Sequence, residues 1–309
     1  MVQAGDLPMK SCFSKIALAA TLFLPFAAPL LCAAQRAEAA PLAEAFTASS
    51  DVAYTQGAIG ALKADVYIPL GDGPFPGVVF IHGGGWKNGD RNQMIKLIKA
   101  VAEDGYVCMT IEYDVDPVHF PASFHESLDA VRFFRAHAVE YRLDPHHVAV
   151  AGSSAGGELA ALVALNPSAA PLGKAAAKNT PAPEPVQAAL IFNGALDLTA
   201  QDESRSTSVE DYLGGKCSVL TEVCRDASPL FHVHAGAPPF YVGHGTTDQA
   251  VPFAEAVAFT GALQKAGVPV QFFQAEGGKH TYWADPRFYA TNLANIKAFL
   301  SANLKGGKH

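Results

Sequence analysis

The segment Gly152-Ser153-Ser154-Ala155-Gly156 constrains the fold of this chain more than any other. An apolar, strand-prone run, Val148-Ala149-Val150-Ala151, leads into it, and an apolar, helix-prone run over 159–165 leads away. A strand that passes into a helix through so few residues must turn sharply, and a sharp turn presses main chain against main chain. Gly152 and Gly156 have no Cβ to clash there, and Ala155 has little more. The spacing predicts a strand–turn–helix unit with the Ser154 hydroxyl at the tip of the turn, where a nucleophilic serine has to stand. Alone, a Gly-x-Ser-x-Gly string is a weak signal. Its flanks and three further segments in the right chain order give it weight.

The rest of the chain fits such a unit into a larger alternation. Apolar runs of strand length occur at 52–54, 62–68, 78–81, 107–111, 148–151, 188–192, 240–242 and 270–274, the first two as a hairpin. Helical stretches are expected at 91–103, 123–140, 155–165, 252–266 and 286–304, with Asp90 at one start and Pro252 and Pro286 in the first turns of two others. Continuously apolar strands separated by helices indicate an α/β fold: a mostly parallel central sheet of about eight strands, covered by helices on both faces. Half of the 309 residues are hydrophobic, enough for one large domain. Two segments break the alternation. Residues 166–185, rich in Ala, Pro and Lys, read as a surface insertion. Residues 199–228 are polar and lie between two expected strands, where a small lid or cleft wall is expected.

Residues 1–40 have a different character. Lys10 and Lys15 precede an apolar stretch, 16–31, interrupted by Pro25 and Pro29, and small residues follow, including Cys32-Ala33-Ala34 and Ala37-Glu38-Ala39. This resembles a secretory signal peptide, with an uncleaved N-terminal anchor as the alternative and Met9 as an alternative start. The expectation is a signal peptide over 1–40, a catalytic domain over 41–309, a secreted or periplasmic location, and no stable membrane insertion after cleavage. In an oxidising compartment, Cys217 and Cys224, seven apart in a loop-like stretch, are expected to form a disulfide, and Cys108 to be a buried thiol. The net charge of −7 comes without a basic patch, so nucleic acid is not an expected partner. No metal or other cofactor is implied, and the residues say nothing about oligomeric state.

A serine hydroxyl needs a base, a group that orients the base, and donors for a developing oxyanion. His280, in a loop after the last expected strand, is the best base. Asp248, in His244-Gly245-Thr246-Thr247-Asp248 after the preceding strand, is the best orienting acid, and Asp197 is its rival. His244 is read as shaping that loop. The order Ser154, Asp248, His280 is that of a catalytic triad on a doubly flanked sheet. Upstream, His82-Gly83-Gly84-Gly85-Trp86 follows the 78–81 strand. Its glycines let backbone N–H groups approach a substrate oxygen. Gly84, with Gly83, and the Ala155 N–H are the expected oxyanion donors; Gly85 and Trp86 are candidate substrate contacts, with Trp86 either lining the pocket or packing beneath it.

Together these pieces resemble the α/β-hydrolase superfamily, and within it the esterase/lipase branch related to hormone-sensitive lipase and to bacterial feruloyl-esterase-like (BD-FAE-type) carboxylesterases. The likeness runs over 64–299 and includes Gly89-Asp90-Arg91, Gly157 and Val251-Pro252. There are two departures. The family often has Tyr-Arg-Leu after the fourth strand; here Tyr113 is followed by Asp114-Val115, which removes a local ion pair. Glu158 stands where relatives more often carry Asn or His, and a solvated or capping carboxylate is expected there. The resemblance implies an exported serine carboxylesterase acting on short-chain or aromatic esters through an acyl-enzyme. A serine peptidase or amidase of the same fold and a non-catalytic binding protein are the competing readings. The acyl and alcohol groups are not legible.

Overall fold

The computed structural model describes residues 45–165, 184–200 and 206–305. Residues 1–40, read from the sequence as a signal peptide, and most of the 166–185 insertion lie outside the described residues.

Eight strands build one open sheet: β1 (Phe46–Gln56), β2 (Ala61–Pro69), β3 (Phe75–Ile81), β4 (Val107–Ile111), β5 (Leu143–Ser153), β6 (Ala188–Phe192), β7 (Phe240–Gly245) and β8 (Val270–Ala275). Their spatial order is β1-β2-β4-β3-β5-β6-β7-β8. The β1–β2 and β2–β4 pairs are antiparallel, and every pair from β4 to β8 is parallel. The helices are α1 (Ile95–Ala102), α2 (Ala122–Ala136), α3 (Ala138–Tyr141), α4 (Ala155–Leu165), α5 (Ser206–Leu213), α6 (Thr221–Asp226), α7 (Phe253–Lys265) and α8 (Pro286–Leu300). This is the mostly parallel, doubly covered sheet that the alternation predicts, in the α/β-hydrolase architecture that the resemblance implies.

The apolar runs form strands because both faces of the parallel part are covered. One core layer joins Val79, Ile81 and Val150 to Phe124 and Leu128 of α2, Leu159 and Leu162 of α4, and Phe259 and Leu263 of α7. The other joins Val78, Phe80 and Tyr241 to Leu97 and Val101 of α1 and Phe299 and Leu300 of α8. At about 25 cal/mol per Å² of apolar surface, these two layers are the main stabilising term. Helix α4 is buried along its entire length. It is the central helix of the molecule and has no solvated face.

The differences from expectation have physical causes. Strand β1 runs eleven residues rather than three because it is an exposed edge strand, and most of its side chains meet water. An edge strand needs no apolar run. The expected helix at 91–103 begins only at Ile95; Asp90 accepts from the Asn92 N–H in a turn upstream. Pro252 sits one position before α7, while Pro286 opens α8 behind an Asp285 cap. The 123–140 stretch breaks at His137 into α2 and α3. Among the described residues, the 199–228 segment contains α5 and α6, and Cys217 and Cys224 form a disulfide there, with Cys108 a buried free thiol.

The missing Arg after β4 has a counterpart in the structure. Asp114 is buried, its N–H donates to Glu126 Oε2 at 2.8 Å, and its Oδ2 accepts from the Ala58 N–H. Burial, with the Asp114 charge beside it, pushes the Glu126 carboxyl up to about 8. A carboxyl raised in the fold stabilises it fully below its unfolded value, and that contribution is lost as pH rises through about 8. Wild-type Tm is therefore expected to fall from pH 7 to pH 9.5 by several degrees more than that of Glu126→Gln, at roughly 2–4 °C per kcal/mol. The Gln amide keeps the donor that the proton supplies. Parallel Tm–pH curves for the two proteins would rule this out.

Candidate active site

The parallel strands β3, β5, β6, β7 and β8 all end on the same edge of the sheet, so the loops that follow them converge there. At the end of β5 the chain turns into α4 with Ser154 at φ +57°, a left-handed conformation that costs a serine about 1–3 kcal/mol. The glycines explain how it is tolerated. A Cβ on Gly152 would lie 1.9 Å from the Gly156 carbonyl oxygen, and one on Gly156 would lie 2.2 Å from that of Ile81. The Ser154 N–H donates to Phe192 O at 2.9 Å, which ties the turn to β6.

Across from the hydroxyl, His280 Nε2 lies 2.9 Å from Ser154 Oγ, and His280 Nδ1 lies 2.8 Å from Asp248 Oδ2. The loops carrying the two residues are stitched together: Thr247 donates to Gly278 O through N–H and Oγ1–H, and the Gly277 N–H donates to Thr246 Oγ1. The Asp248 side chain is wholly buried. Its Oδ1 accepts from the N–H groups of Ala250 (2.8 Å) and Val251 (3.1 Å); its Oδ2 also accepts from Asn193 Nδ2 (3.1 Å) and faces His244 Nε2 at 3.2 Å. Burial by itself would raise this carboxyl. The hydrogen bonds from His244 and His280, the His280 charge and the Val251 N–H outweigh burial and hold it well below the usual carboxylate range.

The neighbouring candidates have other tasks. His244 Nε2 faces two acceptors, Asp248 Oδ2 and Val251 O at 3.0 Å, so that nitrogen carries the hydrogen and the ring props the acid loop. Asp197 Oδ1 accepts from the Thr199 N–H and hydroxyl in a local turn, and the Asp197 N–H donates to Glu255 Oε2 at 3.1 Å.

The loop after β3 supplies the facing wall. Gly84 (φ +134°), Gly85 (φ +61°) and Trp86 (φ +58°) follow one another in the left-handed region. His82 is buried, donates from Nδ1 to Gly83 O at 2.7 Å and stacks on Tyr113 at 4.4 Å; burial lowers its basicity, so it acts as a neutral brace. The Gly83 N–H, expected to face a substrate oxygen, instead donates to Gln93 Oε1 at 2.7 Å. Ala155 is the first residue of α4, so its N–H has no acceptor within the helix. A cleft of about 500 Å³ opens over these groups, lined by Gly84, Gly85, Trp86, Ser154, Val251 and His280 among others. Trp86 both lines the cleft and packs: its indole is buried and stacked on Tyr212 of α5 at 4.4 Å.

Glu158 departs most from expectation. It is fully buried rather than solvated, because α4 has no exposed face. Asn193, Gln93, Tyr212 and Glu255 were not singled out by sequence. Only Asn193 carries a legible hint, its place directly after β6.

A BD-FAE family model matches residues 64–263, more than half of the chain. Among similar proteins are Esterase LipQ of Mycobacterium tuberculosis, 32% identical over 67% of this chain and 50% of that protein, and Probable carboxylic ester hydrolase LipM of the same organism, 30% identical over 68% and 50%. The chain thus spans about half the length of these two relatives. Among solved structures, the thermophilic esterase Est2 of Thermogutta terrifontis superposes with a TM-score of 0.70 at 27% identity, covering 84% of this chain and 92% of that one. With the family match extending from β2 into α7, across the Ser154 turn and the Asp248 loop, the chain belongs to the BD-FAE family.

Proposed function

We propose that this protein is an exported serine carboxylesterase that hydrolyses short-chain or aromatic carboxylic esters through an acyl-enzyme on Ser154. The observation that carries the proposal is the unbroken relay from Ser154 Oγ through His280 to the buried Asp248 at the floor of the cleft. In this reading His280 Nε2 takes the serine proton as Oγ attacks the ester carbonyl. The Gly84 and Ala155 N–H groups receive the oxyanion, and His280 then protonates the departing alcohol. A water deprotonated by His280 releases the acid in the second half. Asp248 keeps Nδ1 protonated, so Nε2 is free to accept. Support comes from the activities named for LipQ, LipM and Est2, and export is supported by the signal-like pattern of residues 1–40 and by the disulfide.

Wild-type protein is expected to hydrolyse p-nitrophenyl acetate and butyrate, and to be inactivated by one equivalent of a p-nitrophenyl dialkyl phosphate with the added mass on the peptide containing Ser154. Cleavage of peptide amides in preference to esters would favour the amidase reading. Absence of both turnover and labelling would leave only a binding role.

A further inference from the structure

Glu158 lies one helical turn beyond Ser154 and takes no part in the proton relay. Its partners are Trp86, whose Nε1–H donates to Oε2 at 3.1 Å, and Tyr212, whose hydroxyl lies 3.3 and 3.4 Å from the two carboxyl oxygens. Neither partner carries a positive charge. Burial, only partly opposed by these two hydrogen bonds, pushes the Glu158 carboxyl well above the usual range. Burial therefore favours the protonated form, which accepts through one oxygen and donates through the other.

Trp86 lines the cleft, and Tyr212 belongs to α5, the helix that contributes Ser208 to the lining. Trp86 ends the left-handed run Gly84-Gly85-Trp86, the segment that carries the Gly84 N–H. A tryptophan at φ +58° persists only where its surroundings over-determine it. Here the indole is fixed on its edge by Glu158 and on its face by the Tyr212 ring, 4.4 Å away and 7° from parallel, while Trp86 O accepts from the Asp116 N–H at 2.9 Å. Tyr212, near the end of α5, is itself held through its carbonyl by the Phe120 N–H at 2.8 Å.

We infer that Glu158 is a positioning residue: its carboxyl ties the oxyanion loop, through Trp86, and the α5 wall, through Tyr212, to the helix that begins at the nucleophile. The inference rests on the reading of Ser154 as nucleophile and Gly84 as oxyanion donor. It gives the 199–228 segment a defined task, since α5 buttresses the loop that has to hold a donor in place. Because the transition state needs that donor more than the bound ester does, loosening the clamp lowers kcat more than it raises KM.

Substitutions at Glu158 and Tyr212 test this on the full chain. Glu158→Gln keeps an acceptor for Trp86 and a donor for Tyr212, and is expected to stay within about threefold of wild-type kcat on p-nitrophenyl acetate. Glu158→Leu keeps the volume and deletes both bonds; kcat is expected to fall about tenfold or more with KM within about twofold. The chain has two tryptophans, Trp86 and Trp283, so in a Trp283→Phe background the Trp86 emission of the Leu variant is expected to shift and become more accessible to acrylamide. A folded Leu variant with wild-type kcat and unchanged Trp86 emission overturns the inference, as does a Gln variant that loses as much as Leu. Should the Leu variant not fold, Tyr212→Phe decides: a several-fold loss of kcat supports the clamp and an unchanged kcat refutes it. A wild-type protein inactive on esters would defeat the esterase reading instead, and the Trp86 emission would still report on the contact.

Discussion

Replacing Ser154 with alanine is expected to lower kcat for p-nitrophenyl ester hydrolysis by about 100,000-fold to a millionfold, with little change in KM. The size follows from the relay acting as a unit. His280 Nε2 is 2.9 Å from Ser154 Oγ and is braced from behind by a wholly buried carboxylate, so without the hydroxyl that whole arrangement has nothing to deprotonate. What survives is the cleft and the Gly84 and Ala155 N–H groups, which leave a residual acceleration of about a thousandfold over water. Alanine retains the Cβ at φ +57°, so the turn keeps its strain and its Tm, and the loss is chemical rather than structural. Ser153 provides the control. It is buried at the end of β5 and paired with Phe192, so Ser153→Ala is expected to remain active. Comparable activity in Ser154→Ala and wild type would refute the mechanism, and loss in Ser153→Ala alone would name the wrong serine.

The sheet was legible in the sequence because its inner parallel strands are buried on both faces and read as uninterrupted apolar runs, such as Val78 to Ile81 in β3. The length of β1 was not, since an edge strand carries no such run and most of its side chains are exposed. The triad candidates were legible through their order and their positions just past strand ends, where side chains converge without any need to know a distance. What sequence did not carry is who meets whom. Gly83 looks like a free donor until Gln93, ten residues on, occupies its N–H. Glu158 looks like a solvated charge until α4 proves to have no solvated face and its partners arrive from 72 residues upstream and 54 downstream. Asn193 and Glu255 likewise meet long-range partners, Asp248 and the 196–197 backbone. Local pattern specifies elements and their ends; pairings of polar groups depend on which elements become neighbours.

Asp248→Asn is expected to cost about 10,000-fold in kcat and to lower stability as well, by about 1–3 kcal/mol. The first effect is a matter of tautomers. An amide NH2 facing His280 Nδ1 stabilises the ring form with its hydrogen on Nε2, and that form cannot take the Ser154 proton. The second follows from the crowd of donors around the acid. Two backbone N–H groups, Asn193, His244 and His280 all converge on this one buried carboxylate. An asparagine has one acceptor oxygen, so at least one of these donors meets another donor. In the wild type, the acid's folded value lies below its unfolded value of about 3.9, so its contribution to stability is present above that pH and fades only as pH falls further. Activity lost on the acid side near neutrality is therefore not expected to track protonation of Asp248. Asp197→Asn, in its own turn with Thr199, is expected to keep activity within a few-fold. If the Asp197 variant were silent and the Asp248 variant active, the orienting acid would be the one after β6, and the loop that joins β7 to α7 would have only a structural task.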